Sequence, residues 1–164
     1  MKNLPIGIQE FSEFQVGNYI YVDKTEHIFK LIQNKYYFLS RPRRFGKSLL
    51  LNTIKEVFKG NKELFEGLWI YDKIEWESHP IIKISFSSVD YFNVGLKKAI
   101  DNMLNRIAKE YDIQLREESF SAKFGELIRI LSEKKKVVIL IDEYDKPIID
   151  TLTTSPKRKK TDGY

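Results

Sequence analysis

Apolar residues along the chain switch between helical spacing and short unbroken runs. Ile28, Leu31 and Ile32 share one helical face, and Asp23 followed three positions later by Glu26 resembles a capping box at the start of that segment. Tyr36-Tyr37-Phe38-Leu39 is an aromatic-rich run bounded by Arg41-Pro42, which predicts a buried strand. From Lys47 onward Leu50, Leu51, Ile54, Val57 and Phe58 trace a helix that Gly60 ends. After Pro80, Ile81–Phe86 predicts a second strand, and Leu96, Ala99, Ile100, Met103, Leu104, Ile107 and Ala108 form a long core-facing helical stripe. Phe124, Leu127, Ile128 and Leu131 mark another helix. Lys134–Lys136 then leads into Val137–Ile141, the most hydrophobic strand of the chain, which ends at Asp142 and Glu143. This alternation predicts an α/β fold, a mainly parallel sheet flanked by helices.

Composition narrows the classes. The 164 residues suffice for one domain with a core, and 42% hydrophobic with 31% charged residues is an ordinary balance for a soluble protein. No apolar run approaches the roughly 20 residues that span a bilayer, and the N-terminus lacks the apolar core of a signal peptide, so no membrane partner and a cytoplasmic location are expected. With no cysteine, thiolate chemistry and disulfides are excluded; His27 and His79 lie far apart in polar contexts, which argues against a histidine metal site. The net charge of +5 is concentrated at the end of the chain, because Lys157, Arg158, Lys159 and Lys160 fall within Thr153–Tyr164 beside the single acid Asp162. That segment has no apolar periodicity and reads as a disordered basic tail following a domain over residues 1–152.

Two clusters carry candidate chemistry. Gly46-Lys47-Ser48 opens a helix directly after a turn: glycine lets the backbone approach an anion, the lysine brings a mobile charge to phosphate oxygens, and the serine hydroxyl can bind Mg2+. The full phosphate-loop pattern has glycine five positions before Gly46, where this chain has Arg41, followed by Pro42, Arg43, Arg44 and Phe45. Such a loop is stiffer and more cationic than usual, with three arginines available to compensate. The second cluster is the aliphatic strand ending in Asp142-Glu143, the Walker B pattern, in which the aspartate reaches the Mg2+ shell and the glutamate a water in line with the γ-phosphate. Both clusters stand at the C-terminal end of an expected strand, the edge at which open α/β sheets bind ligands. Asp145 either faces the same magnesium shell or caps the next helix; Asp23 and Lys24 either border the nucleotide or cap theirs.

Tyr21–Thr25, Arg41–Leu49 and Ile141–Pro147 together resemble the AAA-ATPase-like family of bacterial and archaeal proteins, a resemblance covering Leu4 to about Leu152. It implies a partial P-loop NTPase fold with ATP and Mg2+ as cofactors. Arg41, Arg43, Arg44, Phe45, Gly46, Lys47, Ser48 and Leu49 would hold the nucleotide, Ser48 and Asp142 the metal, with Lys47 and Glu143 catalytic. In that family an arginine-rich loop replaces the first glycine, and members commonly continue into further ATPase structure and a nuclease-like domain of the PD-(D/E)XK type. The resemblance therefore implies that the fold is truncated after the Walker B strand, leaving a gap for a strand between that one and the phosphate-loop strand. A missing C-terminal portion or self-association would complete the sheet. The alternative expectation is a non-catalytic module that holds nucleic acid or another polyanion through Arg41, Arg43, Arg44 and the basic tail.

Overall fold

The computed structural model describes residues 3–5, 7–40, 42, 45–88 and 91–154. The N-terminal part holds helices α1 (Phe11–Val16), α2 (Thr25–Leu31) and α3 (Lys47–Phe58), followed by single helical turns at Lys62–Phe65 and Trp69–Asp72. Strand β1 (Ile81–Ser85) leads through a further turn to α4 (Tyr91–Val94) and α5 (Leu96–Glu110); then come α6 (Phe120–Ser132), strand β2 (Val138–Asp142) and α7 (Lys146–Thr154). β1 and β2 pair in parallel, in a register that sets Ile81 beside Val138 and Ser85 beside Asp142.

Strand alternation divides the core in two. Ile82 and Ile84 point into one cluster with Met103, Leu104 and Ile107 of α5 and Leu127 and Leu131 of α6. Lys83 points to the opposite face, where its ammonium donates to Asn52 Oδ1 of α3. A second cluster joins Phe11, Ile28, Leu50, Val57, Phe65 and Ile70 beneath α3, with Phe65 tilted against Phe11 at 4.7 Å and against Trp76 at 4.8 Å between ring centroids. Helices thus cover both faces of a narrow parallel sheet, and the mixed α/β expectation holds. β1 follows Pro80 as expected; β2 runs one residue further than the aliphatic run, so Asp142 lies within it.

The strand expected at Tyr36–Leu39 does not form. These residues belong to no strand, and Tyr36 and Phe38 are 90% and 71% exposed. A strand that is apolar on both faces needs a hydrogen-bonded neighbour, and no strand among the described residues lies beside this one or along the second edge of β2. Tyr37 instead ties back to the end of α2, donating to Lys30 O at 3.1 Å and accepting from Asn34 Nδ2 at 2.8 Å.

The capping box also differs. Asp23 Oδ1 accepts from the Thr25 N–H at 2.8 Å and hydroxyl at 2.7 Å, while Oδ2 accepts from Trp69 N–H at 2.7 Å. Glu26, rather than reaching back, pairs with Lys30 at 2.6 Å. Asp23 is therefore a clamp between α2 and the Trp69 turn. Burial pushes its carboxyl up, but the hydrogen bonds from Trp69 and Thr25 outweigh this and hold it below the ordinary carboxylate value. At the other end of the chain, α7 continues through Thr154; the remaining tail residues 155–164 lie outside the described residues.

Phe65→Ala, at a fully buried site, should cost about 3–5 kcal/mol in urea unfolding, whereas Phe38→Ala should change stability by no more than about 0.5 kcal/mol. Because the Asp23 pKa is depressed on folding, its contribution is complete above the unfolded value of about 3.9 and disappears as pH falls through the folded one. Asp23→Asn should lower the melting temperature near neutral pH and flatten the acid limb of its pH dependence.

Candidate functional site at the strand ends

The start of α3 is built around Gly46. Its φ of 72° is left-handed backbone that L side chains rarely adopt, and its carbonyl accepts the first helical hydrogen bond, from Leu50 N–H, at 3.0 Å. Nothing lies within 4 Å of where a Cβ would project, so this side of the turn is open to an approaching ligand. Lys47 and Ser48 follow in the first helical turn, both half-buried; Phe45 before them is exposed and Leu49 after them half-buried. Arg41, Arg43 and Arg44 lie outside the described residues.

Asp142 is the last residue of β2 and is only 8% exposed. Its Oδ1 accepts from Glu143 N–H at 3.0 Å, and its Oδ2 has no hydrogen-bond partner among the described residues. Glu143, half-buried, has φ 50°, one of three described non-glycine residues with positive φ. The turn into α7 imposes this: Glu143 O accepts from Lys146 N–H at 3.0 Å, and Asp145 O from Ile148 and Ile149 N–H at 3.1 and 3.0 Å. Asp145 thus opens α7 through its backbone carbonyl. Asp23 is committed to Thr25 and Trp69, whereas Lys24 lines a cavity beside α2.

Three contacts fix the direction of α3 across the sheet. Its last residue, Phe58, accepts from His79 N–H at 2.7 Å just before β1, and Asn52, halfway along, holds Lys83, halfway along β1. Gly60, at φ 76°, lets residues 77 and 78 pass so closely that a Cβ would meet Ser78 N at 3.2 Å. α3 therefore runs antiparallel to the strands. From Asn52 back to Ser48 is about 6 Å along the helix, and from Lys83 on to Ser85 about 7 Å along the strand. These steps bring Lys47 and Ser48 to the end of the sheet where Ser85 pairs with Asp142. Asp142 shares the Lys83 face, toward α3, which packs against β2. The two predicted clusters thus lie toward the same end of the sheet. Phe38 also reaches that end, its ring 5.5 Å from that of Tyr144.

Lys83 and Asn52 escaped the sequence reading, although a lysine within Ile-Ile-Lys-Ile-Ser was a visible signal. Asn52 is 2% exposed and donates to Gln9 O at 2.8 Å, and Lys55 pairs with Glu10 at 2.8 Å, so the network ties the N-terminal segment to α3 and β1. Burial, then the Lys55 charge, lowers the Lys83 pKa against the opposing pull of Glu10, Asp142 and Glu56. Asp142 thus has a cation on its own face of the sheet.

The donor chemistry fits Mg2+ carried in by a nucleotide. Ser48 and Asp142 offer hard oxygen ligands, and among the described residues no three His, Asp or Glu side chains gather to hold a metal by themselves. A strand–helix arrangement with a glycine-lysine-serine helix start and an acidic strand end at one sheet edge defines a P-loop-like α/β protein. The chain belongs to the AAA-ATPase-like family, described as "Predicted AAA-ATPase", whose model matches residues 5–163. It is 46% identical over 158 residues to an "Uncharacterized protein in vnfD 5'region" of Azotobacter chroococcum mcd 1. That alignment covers 93% of this chain and 31% of the relative, so the chain spans about a third of the relative's length. No solved structure matches the chain.

Glu143→Gly should relieve the left-handed strain and stabilise the fold by about 1 kcal/mol. Urea unfolding of the two proteins side by side checks this, and a loss of stability would show that the Glu143 side chain contributes more to folding than its backbone costs.

Proposed function

We propose that the chain binds ATP between the start of α3 and the ends of β1 and β2 and hydrolyses its β–γ phosphoanhydride bond. The observation that supports this reading is the antiparallel course of α3, which directs the helix start that bears Lys47 and Ser48 toward the sheet end where β2 finishes at Asp142. Membership of a family of predicted AAA-ATPases supports it independently.

In this reading the N–H groups at the start of α3, together with its positive dipole end, hold phosphate oxygens, and Lys47 neutralises charge on the β and γ groups. Bound Mg2+ supplies further neutralisation of phosphate charge. Ser48 and Asp142 are the protein's oxygen ligands for it, and Lys83 stands on the same face of the sheet as Asp142. Glu143 accepts a proton from a water that attacks the γ-phosphorus; the bond to the bridging oxygen breaks, giving ADP and inorganic phosphate. The left-handed backbone at Glu143 fits a side chain that a turn holds in one position. For Arg41, Arg43 and Arg44 as phosphate-neutralising groups, the support is the sequence alone.

The second edge of β2 bears on completeness of the site. Ile139 and Ile141 are 40% and 47% exposed beside it, and the apolar Tyr36–Leu39 segment is exposed as well. We propose that a parallel strand from outside residues 3–154 enters between them and orders the loop segment.

Calorimetry and phosphate release test the reading. Lys47→Ala should abolish Mg-ATP binding, and Glu143→Gln should retain binding while turnover falls at least about a hundredfold. Equal ATP affinity in wild type and Lys47→Ala would sink the proposal. A protein extended to the length of the Azotobacter relative should hydrolyse ATP faster than this chain; equal rates would remove the added strand from the reading.

A further inference from the structure

A cavity of about 310 Å3 opens between α2, the Tyr36–Leu39 segment and the first turn of α3. Most of its lining is apolar and includes Leu31, Leu39 and the buried Leu50. Tyr37 forms a wall, with its hydroxyl anchored between Lys30 O and Asn34 Nδ2. His27, Lys24 and Lys30 supply the polar part of the lining. A mostly apolar lining with an anchored aromatic ring and a few polar groups is the usual chemistry of a small-molecule site, and this volume lies at the low end of the common range of about 300–1,000 Å3.

Its position names the occupant. Leu39 is two residues before the loop that starts at Arg41, and Leu50 is three residues beyond Lys47, about 4.5 Å along the helix axis. The cavity is thus bordered by the residues that enter and leave the phosphate-binding turn. A molecule with phosphates at Lys47 and Ser48 can extend a planar, largely apolar group into it without crossing the sheet. We propose that the cavity receives the purine ring of the bound nucleotide, an assignment that rests on the ATP-binding reading above. Leu31, Leu39 and Leu50 pack against the ring and Tyr37 bounds its face. Lys24, which only donates, faces ring-nitrogen acceptors. Polyphosphate alone leaves the cavity empty.

The test compares Mg-ATP with Mg-tripolyphosphate, which carries the phosphates without the base, by calorimetry on the intact chain. Leu31→Trp fills the cavity and Tyr37→Ala removes its wall; circular dichroism and melting temperature confirm that each variant folds. Each should weaken ATP binding at least about tenfold, or roughly 1.4 kcal/mol, and leave tripolyphosphate affinity within about twofold. Lys47→Ala should lose both ligands. Wild-type ATP affinity in both cavity variants, with loss in Lys47→Ala, would overturn the purine assignment and leave the phosphate site standing. Equal weakening of both ligands by the cavity variants would also overturn it, since the cavity would then act on the loop rather than on the base. Binding of neither ligand by the wild type would overturn the phosphate reading and this one with it.

Discussion

α3 can cross the sheet in only one direction once its C-terminal end and its middle are tied. Gly60 turns the chain so tightly that residues 77 and 78 run against the helix end, and Phe58 O takes the His79 N–H just before β1 begins. With that end pinned at the start of the strand, the far end must lie where the strands finish. The start of the helix, with its lysine and serine, is thereby directed toward the end of the sheet where β2 finishes at Asp142. The same helix facing the other way would leave both clusters present and far apart.

Between helix and sheet lies a polar layer instead of a fully apolar one. Lys83, Asn52, Lys55, Glu56 and Glu10 are drawn together, and even a half-buried ammonium is costly unless it is paired and hydrogen-bonded. Here the Asn52 side chain accepts from Lys83 through its oxygen and donates to Gln9 O through its nitrogen, while Glu10 approaches Lys83 at 3.9 Å and Lys55 at 2.8 Å. Such a layer contributes less to stability than tightly packed aliphatic side chains, but its hydrogen bonds and ion pairs are satisfied in this alignment of helix on strand. It also sets a positive charge on the face that Asp142 occupies.

The sheet edge away from β1 has a different character. β1 has its own outer edge satisfied at the start, where the Tyr111 hydroxyl accepts from Ile81 N–H at 2.7 Å and donates to Ile81 O at 3.1 Å. β2 has no comparable cover among the described residues, and Ile139, Ile141 and Phe38 expose apolar surface beside it. A bare edge next to apolar side chains invites pairing with another strand.

Much of this was legible in the residues. Helical periodicity located α3, α5 and α6, the aliphatic runs located β1 and β2, and the spacing of Gly46-Lys47-Ser48 and Asp142-Glu143 marked the candidate site, because these signals are local and each residue type has a chemical reason to be there. The strand read at Tyr36–Leu39 failed because propensity describes what a segment can pair as, not whether a partner is beside it. The capping box failed for a related reason: Asp23 found a better donor in Trp69, a residue 46 positions away that no local pattern contains. Tertiary structure alone decided the direction of α3, the alignment of Lys83 with Asn52 and the cavity beside Tyr37. Each depends on which distant segments come within a few ångströms, and the sequence specifies that only through the summed packing of the whole core.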